Sequence, residues 1–534
     1  MSQNILGHPL HILCQRGLTH AMTRGRKLLY NTLLLTGAAM FMRAAVVSFQ
    51  VYLAGVIGAA GIGLFQLVAS TQFLAMTVAI SGIRFATTRL VSEEMGLGKP
   101  GAVPRVMIRC FSHALFFGTL AGTLLFLGSS WIGNVWIGDG RTILSLRLAA
   151  ISLPFISCTA VMNGYFTAVS RVAKSATVQV TDQIIRIAFV VALLTLYPPD
   201  GLEMAAAQVV LGGVSAEILS TIKLFLLYRH DKGSLPKSNG ESPHLTRRLL
   251  GISMPLAASS YVRSALNTLQ HMLIPRGLRR GGAEGDQALA SYGVVHGMAF
   301  PVIIFPSAIF YAVAELMVPE LTASQVAGNK DRISYLVSKL LRIALYLSIG
   351  LAGLFLAFSG TLGEVIYPHT PGVGAYIRVL SLLMPIMFLD AITDGMLKGL
   401  GQQVYSMGVN IVDSFLSVVL VYLLLPIFGI QGFIWIAYFT ECFNFILSLR
   451  RIAQITTIRL ALSDVIKPAL SILAAVYLTL WLLRTFGLPL VSSAGSLILH
   501  FLLAGVIYLA LLRLLGCITP QDLRWVKRLV SSSA

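Results

Sequence analysis

The sequence is poor in charge. Of its 534 residues only 11% are Asp, Glu, Lys or Arg, where a soluble domain carries about 25%. Acid is scarcest, with 21 Asp+Glu against 40 Lys+Arg. A chain this long cannot cover a soluble globule with so little polar surface, which excludes a soluble enzyme, a disordered chain and a coiled coil. Cysteine is also sparse. Cys14, Cys110, Cys158, Cys442 and Cys517 include no CxxC pair, so they read as small apolar residues rather than a disulfide framework or metal cluster. His8, His11, Cys14 and His20 fit no standard metal spacing. HExxH, Walker A, GxSxG and EF-hand patterns are missing. The expectation is therefore no catalysis, no metal, no cofactor and no self-supplied nucleotide energy.

Long apolar runs are what the sequence does have. Hydrophobic types make up 56% and mean hydropathy is +0.80. About 14 spans of roughly 21 residues would take up about that share of the chain. Hydropathy and breakers place them near 28–56, 63–91, 106–128, 143–167, 176–196, 204–228, 248–275, 288–319, 334–358, 375–397, 404–425, 431–449, 466–486 and 493–515. Turn signals separate them, among them Gly58-Ala-Ala-Gly61, Pro198-Pro199-Asp200-Gly201 and Pro426…Gly429. The expected fold is an all-α polytopic membrane protein of about 14 transmembrane helices.

The net charge of +19 points to the membrane surface and its anionic lipids, not to nucleic acid. With both termini cytoplasmic, twenty-seven Lys/Arg fall on the inner side and seven on the outer, a strong orientation bias. The exception is the 276–286 loop, where Arg276, Arg279 and Arg280 face outward.

The two halves of the chain repeat. At an offset of 220, Arg43 meets Arg263 and Gln50 meets Gln270. At 231, Arg147 meets Arg378, Pro154 meets Pro385, Gly164 meets Gly395 and Asp182 meets Asp413; further on, Glu217 meets Glu441. Two parallel six-helix units related by a pseudo-two-fold along the membrane normal follow. The expected organisation is a basic leader at 1–27, an N-lobe at 28–230 (spans 1–6) and a cytoplasmic linker at 231–247. A C-lobe at 248–452 (spans 7–12), spans 13–14 at 453–516 and a cytoplasmic tail at 517–534 complete it. The leader is expected to be disordered.

Ionised groups inside a bilayer cost roughly 2.5 kcal/mol or more, so they face a cavity, pair up or reach an interface. Arg43 with Gln50 marks a polar stripe on span 1; Arg84 lies on the stripe of span 2. Arg263, Asn267 and Gln270 line span 7, and Tyr311 with Glu315 fall one turn apart on span 8. Four symmetric stripes aimed at one cationic cavity suit an anionic substrate, since the arginine fork matches phosphate and carboxylate. The plainer alternative is that these arginines pair with Glu217, Glu315, Asp390, Asp394 or Glu441 and only hold helices together. Asn410, Asp413 and Glu441 offer oxygen ligands to a coupling cation, or are packing polar groups. Arg147 and Arg378 read as anchors, and Asp182 with Arg186 as an i,i+4 ion pair. Gly118-Thr-Leu-Ala-Gly122 reads as close helix packing.

The ordered set Gly58-Ala-Ala-Gly-Ile-Gly-Leu-Phe65, Arg89-Leu-Val-Ser-Glu93, Arg147-Leu-Ala-Ala-Ile-Ser-Leu-Pro154, Asn163-Gly-Tyr-Phe166 and Val180-Thr-Asp-Gln-Ile-Ile-Arg186 resembles the stage V sporulation protein B group. That group lies in the multidrug/oligosaccharidyl-lipid/polysaccharide exporter superfamily and is similar to MurJ-type lipid II flippases. The resemblance runs from about residue 28 to 515. It implies a MATE/MurJ-like V of two lobes working by alternating access in the cytoplasmic membrane of a bacterium. The implied substrate is an undecaprenyl-pyrophosphate-linked glycan, with membrane lipids and cell-wall synthases as partners and a role in cell wall, spore cortex or polysaccharide biogenesis. Arg43, Arg84 and Arg263 occupy places comparable to the cavity arginines of MurJ-type relatives. Spans 13 and 14 would line a groove for the lipid tail. The alternatives are a multidrug/cation antiporter of the same superfamily and a non-transporting scaffold.

Overall fold

The computed structural model describes residues 8–169, 171–232, 244–485 and 494–518, with side chains from Phe41 onward except those of Val172, Ala173, Glu315, Leu316, Pro319 and Ala494. The expected linker and tail lie largely outside these residues, as do the side chains of Cys14 and the leader.

Helices dominate, and no strand occurs among the described residues. The first half comprises α1 (His8–Ile80), α2 (Ile83–Gly96), α3 (Val103–Trp131), α4 (Ile143–Ala168), α5 (Val172–Leu196) and α6 (Leu202–Lys232). The second half holds α7 (Leu245–Arg280), α8 (Gly285–Tyr292), a π-helical stretch at Gly293–Ala299, α9 (Phe300–Ile304) and α10 (Ser307–Val326). It continues through α11 (Lys330–Ala357), α12 (Ser359–Ile366), α13 (Val373–Ser381), α14 (Met384–Gly399) and α15 (Gln403–Ile455). The last two helices are α16 (Ser463–Thr485) and α17 (Ala494–Leu514).

Two of these helices are far longer than a bilayer needs. At 1.5 Å per residue a straight α1 would run about 110 Å, against a hydrocarbon core of about 30 Å. Glycine resolves the conflict. Gly58 (φ 67, ψ 178) kinks α1 and Gly429 (φ 58, ψ −145) kinks α15, backbone angles that only a residue without Cβ takes freely. The legs of α15 form an antiparallel hairpin. Tyr405 bonds Leu447 O at 3.3 Å, Asn444 bonds Asn410 at 3.1 Å and Arg451 bonds Gln402 at 2.7 Å, all spanning the kink. The leader is a correction to expectation: the helix already begins at His8. After Pro9 no proline separates the leader from the first span, so nothing breaks the helix between them.

Among the described residues, ten helices are long and apolar enough to cross a membrane, or eleven if the pair Val373–Ser381 and Met384–Gly399, bent by 54°, is one span. The expectation was fourteen. The difference arises because spans 1–2 and spans 11–12 each form one kinked helix, and because α7 carries Arg247, Arg248, Arg263, Arg276, Arg279 and Arg280.

The repeat is visible in matching contacts. Gly164 and its counterpart Gly395 take the same place: a Cβ on Gly164 would lie 2.6 Å from Arg84 O on α2, and one on Gly395 2.6 Å from Ala314 Cβ on α10. Arg147 Nε donates to Ser129 at 3.1 Å, and Arg378 Nε to Ser359 at 3.2 Å. Within the first half, α3 lies close on α4: a Cβ on Gly118 would overlap Ser157 Oγ, and one on Gly122 would sit 2.9 Å from Ala150 O. The Gly118/Gly122 pair thus packs helices within the chain. Cys110, Cys158, Cys442 and Cys517 are free thiols.

The halves meet mainly along α1, α2, α7 and α8. At the end carrying loops 138–142 and 281–284, a Cβ on Gly63 would overlap Leu289 O and one on Gly293 would overlap Ala59 O. There Arg276 donates to Val135 O, Arg279 to Gly138 O at 2.8 Å, and Arg141 pairs with Asp286 at 2.7 Å. Arg276 and Arg279 thereby satisfy carbonyls at the end of the π-helical stretch Ile132–Ile137 that continues α3, where the helix dipole favours cations. At the opposite end, Arg248 on α7 pairs with Glu93 at 2.6 Å and Glu94 at 3.3 Å on α2.

Candidate functional site

Between these two ends, α1 and α7 carry facing polar residues. Thr77 bonds Ser264 at 3.1 Å, Thr268 donates to Ser70 O at 2.9 Å, and Ser81 bonds the Tyr261 hydroxyl. Ser81 (φ 43) and Gly82 (φ 68) are consecutive left-handed residues that break α1 from α2. The break lets α7 come close, since a Cβ on Gly82 would lie 2.7 Å from Ser253 O.

A cavity of about 450 Å³ opens beside this seam. Arg263, Asn267, Ser259, Ser260 and Ser264 of α7 line it, with Phe73 and Thr77 of α1 and Asn410, Ile411 and Ser414 of α15. Arg263 is exposed to it, and among the described residues it has no carboxylate partner. A guanidinium free of internal pairing in a hydroxyl- and amide-lined pocket presents its donors to an anion.

A second cavity, of about 410 Å³, lies inside the first half. Arg84, Gln72, Asn163, Arg186 and Glu217 line it together with Phe49, Phe65 and Phe73. Phe49 and Phe65 come from the two legs of α1 on either side of Gly58. Arg84 is likewise exposed and without a carboxylate partner among the described residues. Asn163 accepts from Ser175 at 2.5 Å, and Gln72 donates to Ser152 at 3.3 Å. Phe73 belongs to both walls, so the one cavity expected from the sequence is two adjoining volumes.

Arg43 lines neither. It donates to Ile304 O at 3.1 Å and to Ser307 Oγ, and it stands 5.9 Å from the centre of the Tyr311 ring. Ile304 ends α9 and Ser307 starts α10, so Arg43 satisfies a carbonyl at the break enforced by Pro306. Gln50 leaves Oε1 buried without a hydrogen-bond partner, and Gln270 is half-buried on α7. The Glu315 side chain lies outside the described residues.

Two of the carboxylates proposed to neutralise the arginines are engaged elsewhere. Glu217 lies 3.8 Å from Arg186, which also bonds Asp182 at 3.1 Å; Asp394 pairs with Lys398 at 2.6 Å. In the second half, Asp390 has the like charges of Glu441, Asp394 and Asp413 near it. Asp390 and Asp413 each bury one oxygen with no hydrogen-bond partner. Asn410 donates to Ser406 O at 3.0 Å and accepts from Asn444. Among the described residues, no three His, Cys, Asp or Glu are grouped to hold a metal ion.

Sequence reasoning missed the pairing of Arg248 with Glu93 and Glu94, the contribution of Gln72, Phe73 and Asn163 to the cavities, and a buried cluster at His271, Tyr292 and His296. His271 and Tyr292 bond at 2.8 Å, with the His296 ring packed against both. No sequence signal marks these contacts, because each joins residues from separate helices or depends on the break at the π-helical stretch.

A family model described as polysaccharide biosynthesis protein matches residues 28–314, and one described as MatE matches residues 280–423. Stage V sporulation protein B of Bacillus subtilis (strain 168) is 24% identical over 412 residues, covering 76% of this chain and 79% of that protein. Lipid II flippase MurJ of the same organism is 21% identical over 423 residues, covering 74% and 76%. Among solved structures, a lipid II flippase MurJ in an inward closed conformation superimposes with a TM-score of 0.68 at 14% identity, covering 90% of this chain and 98% of that one. An inward-facing multidrug resistance MATE transporter of the MOP superfamily gives 0.60 at 13% identity, covering 78% and 95%.

Proposed function

The chain belongs to the polysaccharide biosynthesis protein family, and on that footing we propose that it is a flippase for an undecaprenyl-pyrophosphate-linked glycan. It is a MOP-superfamily membrane protein related to stage V sporulation protein B and MurJ. The substrate would be a lipid II-like precursor or a polysaccharide unit, carried across the cytoplasmic membrane of a bacterium by alternating access. The supporting observation is Arg263, unpaired on the wall of a polar cavity at the seam between the lobes. Pyrophosphate needs such donors, and its prenyl chain remains in lipid while the headgroup crosses. Arg84 on the adjoining cavity supplies a second cation, and Arg43 with Tyr311 holds the break in span 8 beside them. Gln50, Asn267, Gln270 and Glu315 complete the polar path. Asn410, Asp413 and Glu441 would take the coupling cation, and cell-wall synthases would be partners on the membrane.

A multidrug antiporter is the second reading, favoured by the MATE-like fold and by the acidic group around Asp390. The deciding experiment is rescue of a bacterium depleted of its lipid II flippase, with precursor assayed at the outer leaflet. Wild type should rescue and Arg263→Ala should not, at equal membrane levels. Rescue by both removes Arg263 from the mechanism. Failure of a well-inserted wild type removes lipid II as the substrate.

A further inference from the structure

The two lobes carry the same acidic pair, but among the described residues only the N-lobe pair is bonded by a cation. In the N-lobe, Arg186 donates to Asp182 at 3.1 Å and lies 3.8 Å from Glu217, while Ser220 donates to Asp182 at 2.7 Å. Asp182 and Glu217 are less than one-fifth exposed and Arg186 about one-third. The offset of 231 carries Asp182 to Asp413 and Arg186 to Ser417, and the Glu217–Glu441 offset carries Ser220 to Asn444. The carboxylates recur; the arginine does not, and Asn444 donates to Asn410 rather than to Asp413. Ser417 is buried, and Asp413 leaves an oxygen buried with no hydrogen-bond partner.

Two carboxylates facing each other away from water repel strongly unless a positive charge sits between them. The N-lobe meets this need covalently. We propose that Arg186 is a tethered counter-ion, standing in the N-lobe where a mobile monovalent cation stands in the C-lobe, so that ion dependence is confined to one lobe. The C-lobe half of this statement rests on the coupling role given above to Asp413 and Glu441; the N-lobe half stands on its own geometry. Arg186 is a positioning residue: it fixes Asp182 and Glu217 on the cavity wall. The oxygens it would release, from Asp182, Glu217 and Ser220, are hard ligands of the kind hard cations take. Arg84, the other cation lining that cavity, is kept in every variant.

The test measures the thermal unfolding midpoint of the purified full chain in detergent, in NaCl against choline chloride at equal ionic strength and one pH. Asp413→Asn with Glu441→Gln silences the C-lobe. In that background, Arg186→Ser should gain a Na⁺-specific rise of about 2 °C or more, and adding Asp182→Asn should abolish it. Arg186→Lys, which keeps the charge, should gain none. An Arg186→Ser chain that folds only in Na⁺ also supports the assignment. One that folds in neither salt is replaced by Arg186→Gln and judged by the same comparison. Equal midpoints in Na⁺ and choline for the folded variant overturn the proposal. In the otherwise unaltered chain, Ser417→Arg should erase the Na⁺ response of the parent. A parent with no Na⁺ response sinks the coupling role of the C-lobe and leaves the N-lobe comparison intact.

Discussion

Arg248 on α7 reaches Glu93 on α2 at 2.6 Å, tying the first half of the chain to the second at the end opposite loops 138–142. Glu94 shares the same guanidinium at 3.3 Å. The pair is about one-third exposed, so its contribution is on the order of 1 kcal/mol or less. That is little against the stability of the fold but a severalfold change in an equilibrium between open and closed ends. Arg248→Ala should leave the unfolding midpoint nearly unchanged. It should raise the labelling rate of a cysteine placed at Ser260, on the cavity wall, about two- to fivefold. An unchanged rate would show that Arg248 does not hold this end.

The opposite end closes by backbone contact. A Cβ at Gly293 would overlap Ala59 O, and overpacking of this kind costs about 1–3 kcal/mol. Gly293→Ala should separate α1 from α8. Cross-linking between cysteines placed at Ala60 and Leu289 should fall accordingly, while Gly96→Ala, where a Cβ meets open space, should leave it unchanged.

Arg263 should show the difference between charge and shape. Arg263→Ala should lower transport of the lipid-linked glycan at least tenfold, a loss of about 1.4 kcal/mol or more at the transition state. Arg263→Lys keeps the charge but loses the planar fork, and should fall between the two. Transport assayed in vesicles at matched protein levels decides it; equal rates for all three would remove the arginine from the path.

Asp139 gives a pH signature. Burial pushes its carboxyl up, but hydrogen bonds from the Arg141 side chain and backbone outweigh this and hold it below the usual carboxylate range. A carboxyl depressed in the folded state adds stability above its unfolded value and loses it as pH falls through the folded one. Asp139→Asn should therefore lower the unfolding midpoint at neutral pH. The gap to wild type should narrow only below about pH 4. A gap that is constant from pH 7 to pH 3 would count against the ion pair as its source.

Much of the architecture could be read from hydropathy, because a bilayer demands apolar runs of fixed length and glycine marks where they turn. Gly58 and Gly429 both sit in stretches recognisable as breakers. The offset of 231 likewise showed Arg147 and Arg378 to be equivalent, and both bond a serine at the end of a neighbouring helix. Side-chain partners were less legible. Arg43 and Gln50 define a face, but not that Arg43 would be drawn to the orphan carbonyl of Ile304 on a helix some 260 residues away in sequence. Arg84 and Arg263 read alike as cations on polar stripes; the structure sets them on different volumes that share Phe73. Contacts such as Arg248 with Glu93 depend on how two lobes lean together, and no local periodicity encodes that.

Phe73 is 46% exposed and forms part of both cavity walls. A swing of this one ring enlarges one chamber only by intruding on the other. The two chambers are therefore parted at this point by a single aromatic ring, a partition one side chain thick. A bulky occupant on the Arg263 side presses the partition toward Arg84, and one on the Arg84 side presses it back. How much can be held in either place depends on what the other already contains.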